Sequence, residues 1–480
     1  MFSLVATLVG GGCLSLPGAF SRVGIGLGCF YLLFSGLLSA FSISLLLSCS
    51  RRTGAANYEE VALFSFGKKT KYAVMVLLIL LTFLASVAYL VLARDLSSPL
   101  VESYIVGKSI SLGEKNIVAL VVLLFVSPFC YATSLQSLRF TSLLSLIALF
   151  FLSCAFIFRS IERSSDRATR APDEPGWDPT KKVEWVSTSI ADTLYAVPFF
   201  QLSYMCHFNV LPIHMGLRKP TKRRLDHVVF FTVLAAFTFY LIVSLTGYFY
   251  AYDHVCYDRG VVSSSICKDY VPDDILNVFD LRDTLIDTGR VGFLCALMLS
   301  YPLLILPCRD TILRLFQEIR SPQESRDDGY SSDGNDSVEY RILEDDTAVI
   351  NTPGSPEFST PMIQRNERQV SRDALRRFSC LSPQRLPHNF TTSTVLTLSL
   401  LTMIAVPNVS AVWTITGSSV SMLIGFVFPS LFYVKIRSPD GIFSPRRWNA
   451  RMIAAWSLLV FSSLMGIVCT YTSCKTVFKF

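Results

Sequence analysis

Three consecutive glycines, Gly10-Gly11-Gly12, followed by Cys13, interrupt an apolar run that carries no charged residue before Arg22. A glycine costs a helix interior about 1 kcal/mol relative to alanine, so the run reads as a helix broken part-way along. In lipid, amides and carbonyls freed by a break must be satisfied inside the protein or by a ligand. The chemistry on offer is that of bare backbone: helix-end amides for a carboxylate, carbonyls for an ammonium or a cation. Transporters use half-helix ends at mid-membrane in this way. The competing reading is a packing seam, where small residues let two helices approach closely. A second interruption decides between them. After a helical pattern over Asp192 to Leu202, the stretch Ser203-Tyr204-Met205-Cys206-His207-Phe208-Asn209 puts polar residues inside another apolar run. Corresponding broken spans in two halves of a chain point to a transporter binding site. Ser203, Tyr204, Cys206 and His207 therefore join the glycines and Cys13 as candidate substrate contacts. Tyr89, in a separate apolar run, offers a hydroxyl to the same carboxylate or merely packs. His207 is an intramembrane ionisable residue, a functional candidate by default, with hydrogen-bonded packing as the alternative.

Other chemistries find little support. The chain has no HExxH or GxSxG pattern and few acids within its apolar runs, so no catalytic residue is assigned and an enzyme is not expected. His207 and His214 are seven residues apart with Pro212 between them, a poor metal arrangement, and no metal or resident cofactor is expected. Thirteen cysteines include no CxxC pair. Only Cys256 and Cys267 share a polar loop; in an oxidising compartment a disulfide between them is expected, with free thiols as the alternative.

The elements that must position these groups follow from composition. The 480 residues are 51% hydrophobic and 16% charged, with mean hydropathy +0.46. Soluble domains carry roughly 25% charge, so this chain cannot cover a water-facing surface. The net charge of +7 gathers at helix ends rather than on one face, which argues against a nucleic-acid partner. Apolar runs at about 1–21, 24–49, 72–93, 116–132, 141–158, 187–211, 226–250, 290–308, 391–407, 414–436 and 450–473 predict an all-α, multi-pass membrane protein with about eleven transmembrane helices. The first lacks the basic start of a signal peptide and is expected to be retained. Nine residues before Gly10 span only about 13 Å. Either its first half is short or the true start lies upstream.

Basic residues in 50–71, 212–225 and 435–451 put those loops on the cytosolic side, whereas the basic loop 159–186 falls outside. Within the first loop, Asn57 to Gly67 reads as a short interfacial helix with Asn57 as its cap, Glu59 and Glu60 in its first turn, and a lipid-facing apolar side. Residues 318–390, rich in Ser, Pro, Asp, Glu and Arg, form a disordered cytosolic insert between membrane parts 1–317 and 391–480.

Several of these stretches resemble the sodium-coupled neutral amino-acid transporters of the amino acid/auxin permease superfamily. Leu8-Val9-Gly10-Gly11-Gly12-Cys13-Leu14-Ser15-Leu16-Pro17 resembles their first-helix motif, and Tyr58-Glu59-Glu60 through Phe64-Ser65-Phe66-Gly67 their first cytosolic helix. Cys206-His207-Phe208-Asn209-Val210-Leu211-Pro212-Ile213 is similar to their sixth-helix break. Pro302 to Arg309 and Ile415 through Tyr433 match the eighth and tenth helices. The resemblance implies a LeuT-like fold of two inverted five-helix repeats plus one helix, with helices 1 and 6 broken. Amides at Gly10, Gly11 and Gly12 would then hold an amino-acid carboxylate. It further implies a sodium site, but Ala6 stands where the family has asparagine, leaving carbonyls at Ala6 and Val9 and the Ser300 hydroxyl. Sodium coupling is accordingly expected to be weak, with Na+ and H+ as the candidate coupling ions and facilitated transport without coupling as the alternative. The function implied is secondary amino-acid transport by alternating access, or symport, in a lipid bilayer. The alternative is an amino-acid-binding receptor signalling through the insert. Plasma membrane and endolysosomal or vacuolar membrane both fit, and nothing in the sequence sets an oligomeric state.

Overall fold

The computed structural model describes residues 5, 8, 10–131, 139–169, 185–215, 222–252, 275–279, 282–320, 386–406, 408–438 and 449–478. Among them every regular element is helical. Seven helices are long and apolar enough to cross a membrane: Ile25–Thr53, Lys68–Val106, Leu112–Cys130, Arg224–Ala251, Thr284–Ile319, Val409–Arg437 and Ala450–Val477. In chain order we name α1 (Leu16–Val23), α2 (Ile25–Thr53), α3 (Tyr58–Phe66), α4 (Lys68–Val101), α5 (Leu112–Cys130) and α6 (Arg139–Thr169). Then come α7 (Ile190–Ser203), α8 (His207–Met215), α9 (Lys222–Tyr252), α10 (Thr284–Arg320), α11 (Leu386–Ala405) and α12 (Val409–Thr416). The last two are α13 (Phe428–Arg437) and α14 (Ala450–Phe478). Helix α6 covers the apolar run 141–158, and α11 covers 391–405 of the run 391–407. Outward faces are apolar, as lipid requires: on α5, Ile117, Val121, Leu124 and Phe125 share one exposed side. The protein is a multi-pass integral membrane protein. Most of the expected insert, 321–385, and both cysteines of the expected disulfide, Cys256 and Cys267, lie outside the described residues.

Hydrogen bonds and ion pairs sort the helix ends into two opposite faces. On one, Arg314 Nη1 of α10 pairs with Glu59 at 2.9 Å, Lys71 pairs with Glu318, and Arg451 Nη2 donates to the Ser44 carbonyl at 3.0 Å. The loops 50–71 and 435–451 therefore share a side, as their basic residues predict. At the other face, Arg159 pairs with Asp283 at 2.6 Å, and buried Arg290 bonds Asp287 at 2.7 Å and the Leu276 carbonyl at 2.8 Å. Burial works against the charged form of Asp283, yet Arg159 and the amides of Ile286 and Leu285 hold its carboxyl below the usual value. The end of the 159–186 loop that carries Arg159 is thus on the side away from the basic loops, where the helix count puts it.

Short helix α3 has the expected cap, with Asn57 and Glu60 forming a reciprocal capping box and Gly67 ending the helix at φ 85°. Its expected lipid-facing side is a correction, however. Tyr58, Val61 and Ala62 are buried, and the Tyr58 hydroxyl donates to the Ile424 carbonyl at 2.6 Å. Phe64 alone among its large apolar residues is exposed. A nine-residue helix with apolar residues on most sides has no single apolar stripe, and packing inside the protein claims them first.

Between α12 and α13 the helix changes pitch, with π-helical turns at Gly417–Ser421 and Leu423–Val427. Such turns are rare and recur at functional sites. Gly417 and Gly425 bracket the stretch that runs beside the second interruption. A Cβ on Gly417 would lie 2.6 Å from the Pro198 carbonyl oxygen of α7. At Gly247 of α9 it would lie 2.7 Å from the Pro17 ring. At these glycines the helices around both interruptions approach more closely than a Cβ would allow.

Candidate functional site

The first interruption is built from the glycines. Gly10 is extended (φ −114°, ψ −164°), and its amide closes a tight turn onto the Leu8 carbonyl at 2.9 Å. A 3-10 turn over Gly11–Ser15 then runs directly into α1, its first bond joining the Cys13 amide to the Gly10 carbonyl at 3.3 Å. The amides of Gly11 and Gly12 precede that bond, and they lie outside the 3-10 ladder of this turn. Pro17, at the start of α1, has no amide to leave unsatisfied there. A Cβ on Gly10 would lie 3.0 Å from the Tyr89 hydroxyl of α4, and one on Gly12 would meet nothing within 4 Å. The tyrosine thus stands against the break, and space opens beside Gly12. Cys13 is buried, at 2% exposure.

The second interruption is shorter than its polar stretch suggests. Helix α7 ends at Ser203, the chain turns through Tyr204, Met205 and Cys206, and α8 starts at His207. His207, Phe208 and Asn209 are helical because the Asn209 amide finds the Cys206 carbonyl at 2.9 Å, which restarts the ladder. Ser203 turns its hydroxyl back onto the Phe199 carbonyl at 2.8 Å, so only its own carbonyl is left for other groups. The Tyr204 carbonyl accepts the Ser39 hydroxyl at 3.0 Å. Its ring fills the space over Gly36, where a Cβ would be 3.1 Å from Cζ.

The two interruptions meet. The hydroxyl of Tyr240, on α9, lies 2.6 Å from the Leu8 carbonyl oxygen and 2.7 Å from that of Ser203. Its ring stands edge-on to Tyr204 with centroids 5.5 Å apart. Gly10, Gly12, Cys13, Tyr89, Ser203 and Tyr204 therefore belong to one region, in which Cys13, Ser203 and Tyr204 are buried. His207 turns elsewhere. Its ring packs on Phe426 at 5.9 Å and beside Gly425, and neither ring nitrogen has a hydrogen-bond partner among the described residues. Cys206, at 2% exposure, is buried in the turn between them. Ser300 is half-buried on α10. Ala6 and Val9, the other expected ion ligands, lie outside the described residues, as do the surroundings of Gly11. Among the described residues no group of three His, Cys, Asp or Glu side chains could hold a metal ion.

Tyr240 has no counterpart in the sequence reading. A tyrosine deep in an apolar helix is a signal, since a buried hydroxyl needs a partner. With 19 tyrosines in the chain, nothing marked this one.

An all-helical membrane protein whose interrupted helices meet at a buried junction has the architecture of a membrane transporter. Comparison with known families makes it specific: the family described as transmembrane amino acid transporter protein matches residues 1–475, and the chain belongs to that family. Among solved structures, similarity extends to Mhp1, a nucleobase-cation-symport-1 family transporter in a closed conformation with bromovinylhydantoin bound. That match has 10% sequence identity and a TM-score of 0.49, covering 98% of this chain and 90% of the other.

Proposed function

We propose that the protein is a secondary transporter of amino acids, working by alternating access around the junction of its two interrupted helices. The observation that carries this is the single Tyr240 hydroxyl lying within hydrogen-bond distance of carbonyls from both interruptions. The amides of Gly11 and Gly12 bind the α-carboxylate, with the Tyr89 hydroxyl as a further donor, and the Gly10 amide joins them only by giving up its bond to the Leu8 carbonyl. Carbonyls at the ends of the half-helices meet the ammonium. In this reading the fold is LeuT-like, the expected eleven helices form two inverted repeats and one extra helix, and the interrupted ones are helices 1 and 6.

Coupling is to H+ or to a weakly held Na+. Sodium is a hard cation that needs oxygen ligands. At Ala6 this chain has no side-chain oxygen to give, which leaves the carbonyls of Ala6 and Val9 and the Ser300 hydroxyl.

Counterflow in proteoliposomes with a panel of labelled amino acids tests the reading, with Gly12→Val as the site control. A β-branched side chain at Gly12 would enter the open space beside the amides. Uptake should fall at least about tenfold with insertion unchanged, because only glycine leaves backbone that accessible. Wild-type kinetics in Gly12→Val would remove the site from the glycine break.

A further inference from the structure

The contact between Tyr240 and the two carbonyls has more acceptors than hydrogens. Both separations, 2.6 Å to Leu8 and 2.7 Å to Ser203, are ordinary for a hydroxyl donating to a carbonyl. A phenol, however, has one hydrogen to give. When it serves Leu8, the Ser203 oxygen faces a lone pair, and the reverse holds when it serves Ser203. Tyr240 is only 1% exposed, and the Ser203 hydroxyl is committed to Phe199. The Leu8 oxygen also takes the Gly10 amide at 2.9 Å, so among the described residues the Ser203 oxygen is the poorer supplied of the two. Leaving a buried acceptor without a donor costs about 1–3 kcal/mol.

We propose that Tyr240 is the positioning residue for the amine end of the substrate. Its hydroxyl holds the Leu8 and Ser203 carbonyls together at a spacing that one hydrogen cannot satisfy. An ammonium supplies what is missing: its N–H groups donate to both carbonyls, and the phenol oxygen accepts a third. The ligand class is therefore a carboxylate bearing a protonated amine, and the deaminated acid of the same shape is discriminated against at this point. This rests on the transport reading above and assigns its amine contact to a helix that carries no interruption.

The test is Tyr240→Phe, which keeps the ring against Tyr204 and removes only the hydroxyl. In counterflow, KM for a transported amino acid should rise about tenfold, the scale of one hydrogen bond to a charged group. Maximal rate should stay within about twofold, and the inhibition constant of the deaminated analogue should be unmoved. Wild-type KM in Tyr240→Phe overturns the proposal, and so does an equal loss for amino acid and analogue, which marks a merely structural residue.

A second readout is independent of transport. Site-resolved alkylation of the buried Cys206 in purified protein should become several-fold faster once the tie between the interruptions is lost. If the wild-type protein moves no amino acid, the transport reading has failed, and the alkylation comparison alone decides whether Tyr240 joins the two breaks. Should Tyr240→Phe not be recovered folded, the wild-type protein still answers. Saturating amino acid should slow Cys206 alkylation where the deaminated analogue does not, and equal protection by both overturns the amine assignment.

Discussion

Gly417 shows how closely single residues set this structure. A Cβ there would lie 2.6 Å from the Pro198 carbonyl oxygen and 3.0 Å from the Pro198 Cβ, both on α7 just before the second interruption. Neither neighbour is the far end of a flexible chain, so the helices would have to part. Gly417→Val should destabilise the protein by about 1–3 kcal/mol, the usual cost of overpacking. It should also displace α7 at the site, lowering uptake more than Gly466→Val, whose Cβ would meet Met422 at 3.6 Å. Thermal unfolding of the purified variants beside uptake checks both, and a fully stable, fully active Gly417→Val would show that the contact is not tight. The three glycines at 10–12 were legible in the sequence because they contradict the helix propensity of the run around them. Gly417 and Tyr240 were not. What matters at each is a partner more than 30 residues away, and no local rule of propensity or spacing reports it.

At the level of elements, the short helix α3 ties otherwise separate parts together. Tyr58 donates to the Ile424 carbonyl within the π-helical stretch, while Glu59, nearly buried, pairs with Arg314 near the end of α10. The helix therefore links the segment beside His207 to the helix carrying Ser300. Arg314 is about half exposed, and an exposed ion pair contributes only about 0–1 kcal/mol. Arg314→Gln should lower the thermal midpoint by a small amount and Arg314→Lys should restore most of it, since the charge rather than the fork matters for a single contact. A midpoint that falls equally in both would mean that Arg314 contributes packing of its stem instead. The capping box and the terminal Gly67 of α3 were readable from Asn57, Glu60 and Gly67. Which side of α3 is buried was not readable, because a helix apolar on most sides needs its neighbours to decide. The same limit explains the second interruption. Composition marked seven residues, Ser203 to Asn209, whereas backbone bonding leaves only Tyr204 to Cys206 unhelical.

For the molecule as a whole, the proposal to test is coupling to H+ or to a weakly held Na+. Positively charged loops and their acidic partners lie together on one face, and the Arg159, Asp283 and Arg290 cluster lies on the other. Between them, His207 is the ionisable side chain at the interruption, buried beside Gly425 and Phe426, with both ring nitrogens unpartnered among the described residues. Histidine is the side chain whose ordinary charge change falls between about pH 5 and 8. Around His207, Gly425 and Phe426 of the π-helical stretch and Met205 of the turn before α8 carry no charge. Replacing sodium with choline should leave most of the uptake in proteoliposomes. If protons drive uptake through His207, uptake should rise as the external pH is lowered from about 7.5 to about 5.5. His207→Gln, which keeps hydrogen-bonding capacity without a titrating ring, should flatten that profile and leave substrate binding in place. Steep, saturable activation by sodium at constant pH, unchanged by Ser300→Ala, would defeat both the proton reading and the sodium ligands assigned to Ala6, Val9 and Ser300.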